Sequence, residues 1–347
     1  MENKPVVQPL VTVLLPIFNA EKTLERTLYH LINQTFKNLE ILAIDDGSTD
    51  NSLHILKKHQ LQDKRIKIIS RENKGLIKTL NEGLDHAKGE FIVREDSDDY
   101  SALNRIEIQV LFMQQNTEIA AAGSYNRCFG SSHELKKYPT DKNICKATLL
   151  FYPCLAHPSV ILRNAFLLEK ALRYPLEYKH CEDYALWVNI IKAGGHIANI
   201  PKELHYYNNH PQQVSVKNNK ETSLNHYKLI SNQLNDIGIC IDNTKLRHMV
   251  ITDKKDLEEL TLDIFKDVII KCEKILKNAT DKGYENESMK SVLMKLIIKP
   301  IKDKLGISGY FVYVITTRKF HNPFDLGLIY NAFLRTIKNT VKRFKYD

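Results

Sequence analysis

The sequence predicts an α/β fold: a mostly parallel central sheet, followed by a C-terminal helical region. Short runs that are almost wholly apolar recur along the N-terminal part, each followed by an amphipathic helical pattern, and beyond about residue 216 the pattern turns helical and polar throughout. Strands of that character alternating with helices belong to a parallel sheet covered on both faces.

The elements follow in order. "VTVLL" over 11–15 reads as a buried strand, and "PIFNA" leads into a helix with Leu24, Leu28, Leu31 and Ile32 on one face and Asn19 as its N-cap. "LEILAI" over 39–44 is a second strand; it runs into "DDGSTD" and a helix carrying Leu53, Ile55 and Leu56. "IKIIS" over 66–70 is followed by "RENKG" and a helix with Ile77, Leu80 and Leu84, and "FIV" over 91–93 then delivers the chain to "REDSDD". The sheet continues through "IAAAGS" at 119–124, "SVIL" at 159–162 and "HIANI" at 196–200. "HYKLISNQLNDIG" and "LEELTLDIFKDVIIKCEKILK" are helices of the C-terminal region.

Composition narrows the function classes. With 43% hydrophobic and 26% charged residues among 347, the chain is of ordinary globular character and two domains are expected. Six cysteines without a CxxC pair suggest neither a zinc knuckle nor a disulfide framework, and fit a reducing cytoplasm. "MENKPVVQPL" lacks the layout of a signal peptide, and no apolar run approaches the ~20 residues of a membrane span. The net charge of +9 is uneven: residues 289–347 hold 12 Lys or Arg against 3 Asp or Glu, which leaves 38 of each sign before them. The body therefore has no general basic surface for nucleic acid, whereas the tail suits an anionic surface.

Topology gives the polar segments a place. In an open parallel sheet ligands bind outside the carboxyl ends of the strands, so "PIFN", "DDGSTD", "RENKG" and "REDSDD" should gather along one edge. The last of these sets four acids, Glu95, Asp96, Asp98 and Asp99, within five residues. Their mutual repulsion is relieved either by solvation in an acidic surface turn or by a hard divalent cation that also takes a substrate phosphate.

In order along the chain, "VTVLLPIFNAEKTLERTL", "NQTFKNLEILAIDDGSTDNS", "AKGEFIVREDSDD", "HPSVILRN", "CEDYALWV" and "YYNNHPQQVS" resemble the inverting glycosyltransferases of family 2, which share the nucleotide-sugar-binding GT-A fold. The resemblance spans roughly residues 11–215. It implies a catalytic domain over 1–215, a helical extension over 216–288 and a basic amphipathic tail over 289–347.

By this resemblance Asp46 accepts a hydrogen bond from a uracil ring, Pro16 and Phe18 wall the base pocket, and Asn19, Asn73, Gly75, Lys78 and Asp96 complete the nucleotide-sugar site. Phe18 stands where a tyrosine is commoner; simple core packing is the alternative reading for it. Many relatives place an arginine where this chain has Leu80, which leaves Lys78 or Arg71 to approach the pyrophosphate. Asp96 and Asp98 correspond to the Asp-x-Asp motif that holds Mn²⁺ or Mg²⁺, with His210 beside the metal or diphosphate, while Asp99 reads as a loop-capping residue. Asp183 matches the general base that takes the proton of the acceptor hydroxyl, ahead of its neighbour Glu182. Trp187 either stacks on an acceptor sugar or packs in the core.

The entry "VQPLVTVL" and the motif spacing look most like bacterial lipooligosaccharide β-1,3-N-acetylglucosaminyltransferases, which implies UDP-N-acetylglucosamine as donor and a terminal galactose on a glycolipid as acceptor. A UDP-galactose or UDP-glucose transferase is the alternative, and a non-catalytic nucleotide- or glycan-binding scaffold is the rival of another class. The tail mixes Lys and Arg with Leu, Ile, Phe and Tyr, as interfacial helices do, so a peripheral position at the inner face of the cytoplasmic membrane is expected.

Overall fold

The structure, a computed structural model, describes residues 8–210, 219–250 and 254–305, with single residues 308 and 313. These residues divide into two compact units: the chain up to Cys145 with Pro153–Thr222, and Lys146–Tyr152 with the chain from Ser223 onward.

The first unit opens with three strand–helix repeats: β1 (Val11–Ile17), α1 (Leu24–Ile32), β2 (Leu39–Asp45), α2 (Ser52–Gln62), β3 (Ile66–Ser70) and α3 (Leu76–His86). β4 (Phe91–Arg94), β5 (Tyr100–Ser101), α4 (Arg105–Gln115), β6 (Ile119–Gly130), β7 (Leu135–Lys136) and α5 (Lys142–Thr148) follow. β8 (Ile161–Arg163), α6 (Asn164–Glu169), α7 (Glu182–Lys192) and β9 (His196–Asn209) complete the unit.

The strands form one sheet in the order β3-β2-β1-β4-β8-β6-β9-β5, with β7 against β6. β1 to β4 are parallel neighbours, as is the pair β6–β9, whereas β8 runs antiparallel to both β4 and β6. The expected α/β fold class is the observed one, and β8 is where the parallel run reverses. Every residue of β1 and β4 is buried, which is why these strands read as largely apolar runs, with Thr12 and Arg94 as their buried polar members. Leu24, Leu28 and Leu31 of α1 are buried among β1 and β2 core residues, each such side chain stabilising the fold by about 1.5–3 kcal/mol.

Three local expectations are corrected. α1 begins at Leu24 with Thr23 at its N-cap, so Asn19 does not cap it; Asn19 has a left-handed φ of 51° and bonds across to the "DDGSTD" loop instead. "SVIL" becomes strand only from Ile161, because His157–Ser159 forms a 3-10 turn with Pro158 within it. "HIANI" continues as strand to Asn209, paired with β6 across a register shift near Glu203, so that the strand runs well past Ile200 and takes in "YYNN".

In the second unit α8 (Asn219–Asp236), whose last turns belong here, is followed by α9 (Asn243–Met249), α10 (Lys254–Glu259), α11 (Leu262–Asp281) and α12 (Asn286–Pro300). Phe265, Ile269, Cys272 and Ile275 of α11 lie at helical spacing and are fully buried. The expected tail boundary at residue 289 falls inside α12, where Met289, Leu293 and Ile297 are buried. Apart from residues 308 and 313, the expected tail beyond 305 lies outside the described residues. Among the described residues no helix is long and apolar enough to cross a membrane.

Candidate active site

The four strand-end loops meet at the carboxyl edge of the sheet and enclose a cavity of about 930 Å³. Pro16, Phe18, Asn19, Asp46, Asn73, Gly75, Asp96, Asp98 and His210 all line it. Phe18 is 51% exposed and faces this space, so the core-packing reading of it does not hold.

At one end the loops are cross-braced. Asn19 N donates to Ser48 Oγ at 3.0 Å and Asn19 Oδ1 accepts from Thr49 N at 2.8 Å. Asp46 is buried and saturated on one side: Oδ1 accepts from Lys74 N at 2.8 Å and from the Arg71 guanidinium, and Oδ2 accepts from Gly75 N at 3.0 Å. A carboxylate offers about four lone-pair directions, so one on Oδ2 remains. Gly75 takes φ +85° to present its N–H this way, a conformation that costs glycine little. Gly47 takes φ +75°, and a Cβ there would come within 2.7 Å of Asn73 N.

Arg71 also donates to Glu82 Oε2 at 2.8 Å and to Thr79 Oγ1 at 2.8 Å, so its guanidinium is committed to bracing Asp46 and does not reach toward a pyrophosphate. Lys78 is exposed on α3 and is not among the described residues lining the cavity, while Leu80 is fully buried in the core. Lys22 and His210 are the side chains of the described lining able to carry positive charge.

At the other end the four acids part company. Glu95 turns inward and is fully buried, 3.1 Å from the Arg105 guanidinium and 2.9 Å from His205 Nε2; burial works to raise its pKa, but these two partners hold it below the usual carboxylate range, while burial lowers the pKa of His205 itself. Asp99 Oδ1 accepts from Asn208 N at 2.7 Å, a loop-capping contact, while its Oδ2 is buried without a hydrogen-bond partner. Burial, reinforced by Asp96 and Asp98, pushes Asp99 well above the ordinary range. Asp96 is pushed to about 6 by burial, with Arg94 opposing and Asp98 adding to the rise. His210 Nε2 stands 3.3 Å from Asp98 Oδ2.

Carboxylate oxygens of Asp96, Asp98 and Asp99 lie within 4.8 Å of one another. A set of hard oxygen donors that repel one another, one of them a buried oxygen of Asp99 with no hydrogen bond and only His205 Nε2 near it at 3.5 Å, fits a hard divalent cation such as Mn²⁺ or Mg²⁺.

Several residues that sequence reasoning missed hold this loop in place. From α1, Thr23 Oγ1 donates to Ser97 O at 2.8 Å, Arg26 Nη2 to Asp98 O at 2.7 Å and Thr27 Oγ1 to Asp99 O at 2.7 Å. The only sequence signal was polar residues on one flank of an otherwise apolar helix. Arg94 was a second omission.

Asp183 sits in the first turn of α7, half-buried, and is not among the described cavity-lining residues. Burial raises its pKa against the Tyr184 backbone N–H and the Arg94 charge. Glu182 is 6% exposed, with Oε2 unpartnered, and burial together with Asp183 pushes it up to about 7. Trp187 is fully buried with its ring 6.2 Å from that of His157, so it is core and stacks on no sugar.

A mixed, mostly parallel sheet whose strand-end loops build a polar, acid-ended cavity places this chain among the α/β proteins that bind their ligands at the carboxyl edge of the sheet. The glycosyl transferase family 2 model matches residues 12–173. An uncharacterized glycosyltransferase of Haemophilus influenzae is 35% identical over 268 residues, spanning 72% of this chain and 82% of that protein. The UDP-Glc:alpha-D-GlcNAc-diphosphoundecaprenol beta-1,3-glucosyltransferase WfaP of Escherichia coli is 32% identical over 70% of this chain and 90% of its own. The chain belongs to glycosyltransferase family 2, whose members transfer sugar from a nucleotide-sugar donor. Solved structures share the fold at lower identity. TarS 1-349 of S. aureus with UDP-GlcNAc has a TM-score of 0.58 at 16% identity over 89% of both chains. The mannosyltransferase PcManGT of Pyrobaculum calidifontis with GDP-Man and Mn2+ has a TM-score of 0.53 at 15% identity over 86% of this chain and 89% of that one.

Proposed function

We propose that this transferase moves a sugar, with inversion, from a UDP-sugar to a hydroxyl of a terminal sugar on a lipid-linked bacterial surface glycan. The observation that carries the reading is the single cavity bounded by Phe18, Asp46, Asn73 and Gly75 at one end and by Asp96, Asp98 and His210 at the other. A base and a diphosphate-sugar need those two ends. The one open lone pair of Asp46 suits the single ring N–H of uracil, and Phe18 offers its ring beside it. Asp96, Asp98 and His210 would hold Mn²⁺ or Mg²⁺, which supplies charge neutralisation for the departing nucleoside diphosphate. Asp183 serves as the base that takes the acceptor proton.

For the donor, UDP-N-acetylglucosamine transferred to a terminal galactose is the reading from the motifs. The kinship to WfaP, named for UDP-Glc transfer to a diphosphoundecaprenol-linked sugar, favours UDP-glucose as the second reading. That relative's lipid-linked acceptor and the excess of cations after residue 289 support a peripheral place at the inner membrane face. Retention of Asp46, Asp96, Asp98 and Asp183 together speaks against a non-catalytic scaffold.

The test is incubation of purified protein with a panel of UDP-sugars and galactose- or N-acetylglucosamine-terminated acceptors, with Mn²⁺ or EDTA, for the native chain and Asp98→Ala. Transfer from one UDP-sugar, abolished by EDTA and by the substitution, is expected. Full turnover of Asp98→Ala in chelator would remove the metal assignment.

A further inference from the structure

Arg94, the last residue of β4, is 3% exposed. Its guanidinium grips both oxygens of Asp96: Nη1 donates to Oδ2 at 2.5 Å and Nη2 pairs with Oδ1. The origin of the side chain is itself clamped, because Arg94 N donates to Val160 O at 3.1 Å and Arg94 O accepts from Arg105 Nη2 at 2.9 Å. Alternation along the strand end sends Glu95 to the opposite side, where Arg105 and His205 receive it. Each of the two arginines therefore serves one acid.

We infer that Arg94 is a positioning residue of the transfer reaction: its planar fork fixes the orientation of the Asp96 carboxylate so that the remaining lone pairs face the cavity. The inference rests on the proposed reading of Asp96 as a cofactor- and donor-binding residue. A bidentate arginine–carboxylate pair has two parallel bonds, so rotation about the Asp96 Cβ–Cγ bond breaks at least one. Two of about four acceptor directions are taken from the protein side and two are left. Lysine at 94 would keep the charge but, as a point donor, would leave the carboxylate plane free to turn. A fork needed only for folding would be indifferent to which face of Asp96 meets the cavity, yet Asp96 is 26% exposed and that part lines it. Arg94 Nε is buried with no hydrogen-bond partner, so the guanidinium sits where the Asp96 fork is satisfied and its own third donor direction is not.

The test compares native protein, Arg94→Lys, Asp96→Asn and the double variant. Mn²⁺ binding in the presence of UDP is followed by the loss of the free-ion electron paramagnetic resonance signal, alongside turnover. Thermal melting and metal-free UDP binding serve as folding controls. Arg94→Lys is expected to raise the Mn²⁺ midpoint about tenfold and to lower kcat, with metal-free UDP binding within about twofold of native. In the Asp96→Asn background the same change should have no further effect on the midpoint. A native Mn²⁺ midpoint and kcat in Arg94→Lys would overturn the inference, as would a further weakening in the double variant, which would show that Arg94 acts other than through Asp96. Should Arg94→Lys not fold, Arg94→Gln in the Asp96→Asn background, which replaces the fork by a neutral amide pair, is compared with Asp96→Asn alone: an unchanged Mn²⁺ midpoint is expected, and a further weakening would overturn the inference. If the native protein shows no UDP-enhanced Mn²⁺ binding, it is the reading of the site that fails.

Discussion

Replacing Asp46 by alanine tests the nucleotide end most directly, because the structure sets out what would be lost. The side chain is 7% exposed and receives the Arg71 guanidinium and two backbone N–H groups, those of Lys74 and Gly75. Breaking a buried pair by removing one partner costs about 3–5 kcal/mol. Arg71 keeps its bonds to Glu82 and Thr79, which argues for the lower end, about 3 kcal/mol. For a unit of this size 1 kcal/mol shifts the melting temperature by about 2–4 °C, so a fall of about 6–12 °C is expected. The "RENKG" turn would lose its two anchoring bonds, so UDP affinity should drop by more than the about tenfold that a single 1.4 kcal/mol contact explains. Calorimetric melting and titration with UDP measure both. An Asp46→Ala variant with native melting and native UDP affinity would refute the role given to this carboxylate.

Three further outcomes are expected. Asp183→Asn should lower kcat by ~10²–10⁴ while UDP still binds, whereas Glu182→Gln should leave most turnover; the reverse pattern in a paired steady-state assay would move the base to Glu182. Glu182 binds its proton more tightly folded, near pH 7, than unfolded, near 4.5, so its own contribution to stability is fully present below about pH 4.5 and is lost as pH rises toward 7; denaturant titrations should show the pH slope changed by that contribution in Glu182→Gln. A chain ending at Tyr313 keeps α12 and the contact of Tyr313 Oη with Met294 Sδ at 3.7 Å, yet drops seven Lys or Arg and two Asp or Glu. It should cosediment less with anionic vesicles at low salt and still glycosylate a short soluble acceptor, and unchanged cosedimentation would end the membrane role.

β1, β2 and β4 were legible because they are buried along almost their whole length and so appear as largely apolar runs, and the place of the loops followed from topology. Asp96 and Asp98 were legible because adjacent acids at a strand end demand compensation. What compensates Glu95 was not, since Arg105 and His205 lie 10 and 110 residues away in sequence and no local period encodes that pairing. The Arg71–Asp46 brace and the hold of Thr23, Arg26 and Thr27 on the acidic loop escaped for the same reason. Asn19 misled because its short polar side chain suits a helix cap and a left-handed loop position equally well. β8 was found as a strand, but its reversed direction left no mark in three apolar-to-basic residues.

The alternation of Glu95 and Asp96 across the strand end also constrains how this segment can change over time. Inserting or deleting one residue between Phe91 and Glu95 would exchange the two sides, bringing a carboxylate meant for Arg105 into the cavity and forcing another against the core. Side chains along this stretch can drift while its length cannot. Gaps between diverging descendants of this chain should therefore fall in surface loops such as that between β6 and β7, and a lineage carrying one between β4 and the acids should have lost transfer or rebuilt the buried partners of both.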